Sequence, residues 1–159
     1  MTKKMHAMAV FVALCSVAAF AVTAAEPPAD VPAPVHVDTS AVEWEPATTP
    51  NFPEGRFRKL LHRNPANGAG AALARHPKGY LEPLHYHTTA NHGIYILEGR
   101  LRYGDVEAGP GEFFYAPAGH AHGPIEALED VELLIWTDGP LDLHLGDPAP
   151  AEETTGQAG

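Results

Sequence analysis

The chain has 159 residues, with 10 basic and 20 acidic side chains, 10 histidines and one cysteine. A formal charge of −10 argues against nucleic acid and anionic membranes as partners. A lone cysteine excludes a disulfide framework. Residues 1–25 read as a secretory signal peptide: Lys3 and Lys4 form a positive start, Ala7 to Phe20 an apolar stretch, and Val22-Thr23-Ala24 a small-residue cleavage region before a cut near Ala24/Ala25. The apolar run is at the short end for spanning a bilayer, and no second run of that length follows. Cleavage removes Lys3, Lys4 and Cys15, which leaves 8 basic against 20 acidic residues, a formal charge of −12. The expectation is a secreted or periplasmic protein with no stable membrane anchor after cleavage. About 130 residues remain, enough for one domain with one core.

Residues 26–54 are rich in proline and alanine and are expected to begin as a flexible arm, with Ala41 to Glu45 as a candidate edge strand. From 55 to 145 short apolar runs alternate with turns. Strands are predicted at Phe57 to His62, Ala71 to Arg75, Tyr80 to His87 and Gly93 to Leu97. Leu101 to Tyr103 and Val106 flank a two-residue turn at Gly104-Asp105. Glu112 to Tyr115, Val131 to Trp136 and Leu141 to His144 complete the set. Residues 146–159 read as a disordered tail. No ten-residue stretch shows helical periodicity without a breaker, so the fold class is all-β, a sandwich or barrel.

Nine of the ten histidines fall after the cleavage site, and four stand in two fragments framed by glycine. The first is Gly79-x5-His85-x-His87-x4-His92-x6-Gly99 and the second is Gly111-x5-Pro117-x-Gly119-x2-His122. Residues two apart on a strand share a face, so His85 and His87 can chelate one ion. Imidazole is the commonest metal ligand, and the four together point to one divalent transition metal. His92 either ligates or stands behind the ligands as an acid–base group.

These fragments resemble the paired signature motifs of the cupin superfamily, over roughly residues 70–137. The usual first motif is G-x5-H-x-H-x3–4-E-x6-G and the usual second is G-x5-P-x-G-x2-H-x3-N. Here His92 replaces the glutamate and Glu126 the final asparagine. The resemblance implies an antiparallel jelly-roll barrel with His85, His87, His92 and His122 around a metal, and a homodimer as a candidate assembly through the edge at 41–45. The chain also looks like small exported cupins and the zinc-binding cupin domain of certain anti-sigma factors. An all-imidazole set is neutral and favours Fe, Zn, Ni or Cu over harder ions, with Mn open to a site of this class. Three or four such ligands leave one to three open positions, which favours chemistry on a small oxygenated molecule. Dioxygenase-like oxidation is one expectation and isomerase or lyase chemistry another, with His92, Glu126 or a pocket tyrosine as the proton carrier. The alternative is a non-catalytic sensing module with a saturated Zn or Cu site. Tyr95, Phe113, Phe114 and Tyr115 are expected in the barrel core or pocket, and His36, His62, His76 and His144 in surface or packing roles.

Overall fold

The computed structural model describes residues 33–148. The expected signal peptide, the start of the expected arm and most of the expected tail lie outside the described residues. No helix among the described residues is long and apolar enough to cross a membrane.

Among the described residues, twelve strands follow one 3-10 turn at Thr39–Ala41, which Asp38 caps by accepting from the Ser40 amide at 2.9 Å. They are β1 Glu45–Pro46, β2 Phe57–Arg63, β3 Gly70–His76, β4 Leu81–Glu82, β5 His85–Tyr86, β6 His92–Glu98, β7 Leu101–Tyr103, β8 Val106–Ala108, β9 Phe113–Ala116, β10 Ile125–Ala127, β11 Val131–Thr137 and β12 His144–Leu145. Every pairing is antiparallel. One sheet runs β1-β2-β3-β11-β6-β9, a second β4-β10-β7-β8, and a third pairs β12 with β5. The non-sequential neighbours are crossovers from sheet to sheet, the jelly-roll arrangement expected from the motifs.

Alternation decides which side chains go inside. In β6, His92, Ile94 and Ile96 are buried while Tyr95 and Leu97 are exposed. In β11, Val131 and Leu133 are buried, and Leu133 sits opposite Ile96; neither of that pair is exposed to solvent. Leu101, Ala108, Ile125 and Ala127 supply the facing layer. Burying a side chain such as Ile or Leu contributes about 1.5–3 kcal/mol, so this double layer is the main source of stability.

The same alternation corrects the aromatic expectation. Tyr95, Phe113 and Tyr115 lie on the outer face of the six-stranded sheet, and only Phe114 packs inward, stacked on Tyr103 at 4.3 Å. The predicted edge strand at 41–45 becomes the 3-10 turn plus β1, which pairs with β2 through Glu45 and Pro46. Trp44 is held between cations, with Arg75 4.1 Å and Lys59 5.0 Å from its ring. The single strand predicted over Tyr80 to His87 is broken at Pro83-Leu84, and Leu141 to Leu143 forms no strand. Gly146 donates to the Leu84 carbonyl at 2.9 Å.

Candidate metal centre

The site forms where β5, β6 and the segment before β10 meet inside the barrel. His85 and His122 face each other across an antiparallel bridge, with amide-to-carbonyl bonds of 3.1 and 2.8 Å. This backbone bond brings the two motif fragments together. Gly119 adds a second tie by donating to the His87 carbonyl at 2.6 Å. His92 enters as the first residue of β6, in register with Ala116 on one side and Thr137 on the other.

All four imidazoles converge. Nitrogens of His85, His87 and His122 lie within 4.8 Å of one another. The His92 ring adjoins that trio at 4.9 Å from His87 and 4.6 Å from His122. All four residues are buried. Burial pulls His85 down to about 4 and His92 down to about 3, and lowers His122 as well, with the neighbouring imidazoles adding to each effect. The rings of His85, His92 and His122 are therefore neutral at ordinary pH, as metal ligation requires.

The hydrogen bonds fix the tautomer. Nδ1 of His85 meets the Pro83 carbonyl at 2.7 Å, Nδ1 of His122 the His120 carbonyl at 3.2 Å, and Nδ1 of His87 the Asp142 carbonyl. A carbonyl only accepts, so each Nδ1 donates its proton and each Nε2 presents a lone pair. Nε2 of His87, His92 and His122 is buried with no protein partner. Buried acceptors without donors are costly. Converging lone pairs in a neutral pocket suit a divalent cation, so His85, His87 and His122 could hold a metal, with His92 in reach.

Glu126, the other sequence candidate for proton transfer, is not brought to the site. It alternates with buried Ile125 and Ala127, and its carboxylate pairs with Arg102 at 2.6 Å on the outer side. His120 stays exposed and contributes its carbonyl alone. A different acid lies inside. A cavity of about 170 Å³ runs from His85, His87 and His92, which line it, to Glu82, Arg56 and His76, with apolar walls that include Phe52, Ile94 and Ile125. Strand parity hides Glu82 from sequence reasoning. Simple alternation would turn Glu82 away from the face of His85 and His87, but the break at Pro83-Leu84 resets the count, and Glu82, His85 and His87 are all buried. The proline itself was the available signal. His76, expected in a surface or packing role, also faces this cavity and is only 3% exposed.

A small antiparallel barrel whose interior gathers histidines from two hairpins defines a cupin. The ChrR cupin-like domain profile matches residues 32–142, and the chain belongs to that family. No curated protein matches it in sequence. Among solved structures it is similar to a candidate acetylacetone dioxygenase from Methylibium petroleiphilum, with 21% identity over 77% of this chain and 88% of that one and a TM-score of 0.65. The polyketide cyclase RemF from Streptomyces resistomycificus is 22% identical over 76% of this chain and 89% of that one, with a TM-score of 0.57. The complex of SigE with the anti-sigma ChrR from Rhodobacter sphaeroides matches at 21% identity over 64% of this chain and 52% of that chain, with a TM-score of 0.50. At these identities the likenesses show the fold.

Proposed function

We propose that this protein is an exported metal-dependent cupin enzyme, a dioxygenase-like oxidoreductase acting on a small oxygenated molecule at a His-ligated divalent ion. The observation that carries the reading is the cavity beside the imidazoles. A closed structural site has no use for a cavity that extends from its imidazoles to further polar groups, whereas a catalytic one needs that space. His85, His87 and His122 supply the ligand set, and His92 adds a fourth imidazole. Bound there, an ion supplies Lewis acidity and, as iron, redox chemistry with dioxygen. The apolar walls exclude bulk water and strengthen electrostatic interactions inside. At about 170 Å³ the cavity is below the usual 300–1,000 Å³ range for drug-sized ligands, so the substrate is small. Glu82, which lines the cavity, takes in this reading the proton-exchange role that the sequence offered to Glu126.

The second reading is a non-catalytic metal-sensing module with a saturated Zn or Cu site; membership of the ChrR cupin-like family and the similarity to an anti-sigma complex support a regulatory rather than catalytic role. Metal analysis of protein from the exported fraction, with oxygen-uptake assays on diketones, catechols and thiols, separates the two. Iron with substrate-dependent uptake supports the enzyme. Full zinc occupancy with no uptake after iron loading favours the module. Export is tested by the mature N-terminus, expected near Ala25 or Glu26; an intact Met1 on the isolated protein would refute it.

A further inference from the structure

The end of the cavity beyond the imidazoles holds an arginine fixed on three sides. Arg56 Nε donates to the Ala47 carbonyl at 3.2 Å, Nη2 donates to the Thr49 hydroxyl, and the guanidinium lies 5.2 Å from the Phe52 ring centre. Phe52 in turn meets His85 edge-on at 5.1 Å, so the guanidinium and the imidazoles share this apolar wall of one cavity. The remaining nitrogen, Nη1, is 3.6 Å from Glu82 Oε1, beyond hydrogen-bond range. Neither side chain is well exposed, at 16% for Arg56 and 11% for Glu82. A charged donor is thus left short of its partner inside the barrel. Near it, His76 Nε2 and the Tyr80 hydroxyl are buried with no hydrogen-bond partner, the two rings 4.8 Å apart.

We propose that Arg56, with Glu82 beside it, is an anion-anchoring subsite that selects a small oxo acid, whose carboxylate takes the free edge of the guanidinium while its oxo group reaches toward the imidazoles. This rests on the enzyme reading for the metal end of the ligand, but the arginine end stands on its own contacts. A planar guanidinium fork matches a carboxylate in two parallel hydrogen bonds. Burial pushes the Glu82 carboxyl up to about 7 against the pull of Arg56, so near neutral pH much of it is the neutral acid, a hydrogen-bond donor. The unpartnered His76 nitrogen supplies a further polar contact. A cavity of about 170 Å³ has room for one short acid and little more.

The test compares acetoacetate with acetylacetone, which differ only in carboxylate against acetyl, by calorimetric binding to metal-replete protein whose metal content is measured separately. Wild type should prefer the acid by about 10- to 100-fold. Arg56→Gln should abolish that preference with metal stoichiometry unchanged. Arg56→Lys keeps the charge without the fork and should retain a reduced preference; it also decides the matter if Arg56→Gln does not fold. Equal affinity for the two probes in wild type, no binding of either to metal-replete protein, or an acid preference that survives Arg56→Gln would overturn the subsite. Loss of metal from wild type would instead count against the metal centre, so the two failures are distinguishable.

Discussion

A histidine that donates through Nδ1 to a backbone carbonyl has its Nε2 lone pair turned to whatever lies opposite. His85, His87 and His122 all do so, through Pro83, Asp142 and His120. Each ring is therefore oriented before any ion arrives, and the ordering cost of binding falls on the folded chain. Removing one ring deletes a ligand and leaves the other lone pairs buried without a partner. His87→Ala should lose most bound metal, with a fall in melting temperature on the order of 10 °C under metal excess. Calorimetry with metal analysis checks this, and full stoichiometry in the variant would contradict the assignment. His92 differs, because it lies beside the trio and has no Nδ1 carbonyl tie among the described contacts. His92→Glu would place a carboxylate where cupins usually carry one. Affinity for Mn relative to Zn should rise by about tenfold, read by competition titration. An unchanged preference would show that His92 does not coordinate.

The elements around the site act through the strap between β11 and β12. Its Asp142 carbonyl orients His87, while its carboxylate accepts from the Thr88 amide at 2.7 Å, the Thr88 hydroxyl, and the Thr89 hydroxyl at 2.9 Å. Burial opposes ionisation there, but the bonds from Thr88, His144 and Thr89 outweigh it and hold the carboxyl well below its usual range. Asp142→Ala removes every one of these side-chain bonds and should lower metal affinity by about 10- to 100-fold, by the same titration, without altering a ligand. Gly99 is a second such point. Its φ is +74°, and an added Cβ would lie 2.1 Å from the Asp130 carbonyl oxygen. Gly99→Ala should cost at least about 2–3 kcal/mol by chemical denaturation, since neither the backbone conformation nor the space permits it. The motif glycine was legible in the sequence for this reason, as were the paired histidines, because period-two alternation holds through β6 and across the His85 to His122 bridge. The strap was not legible: Leu141 to His144 alternates like a strand, yet its role comes from a carboxylate bonding residues more than 50 positions away. Arg56 and Glu82 were missed for related reasons. One stands just before its strand and belongs to no motif spacing, and the other changes face at a proline.

At the scale of the whole molecule, burying this many ionisable groups makes stability depend on pH in two opposing ways. Burial lowers His76 and His85 to about 4 and His92 to about 3, from 6.5. In metal-free protein the unfolded chain takes up these protons first. Their contribution is intact above pH 6.5 and is lost as pH falls toward 4, by up to about 1.4 kcal/mol per pH unit for each group. Glu82 has the opposite sign. Its carboxyl is raised from 4.5 to about 7, so the folded chain keeps a proton that the unfolded chain releases, and its contribution is lost as pH rises toward 7. Three imidazoles outweigh one carboxyl between pH 6.5 and 4.5. The melting temperature of metal-free protein should therefore fall on acidification across that window. Glu82→Gln removes the opposing slope and should make the fall steeper. Metal-loaded protein should melt higher near neutrality and converge on the metal-free curve at the acid end, where protons displace the ion from the imidazoles. Differential scanning calorimetry from pH 7.5 to 4.5, with and without chelator, measures all three curves. A metal-free profile that is flat or rises on acidification would show that these histidines are not held neutral inside the barrel, and the converging lone pairs would lose their physical basis.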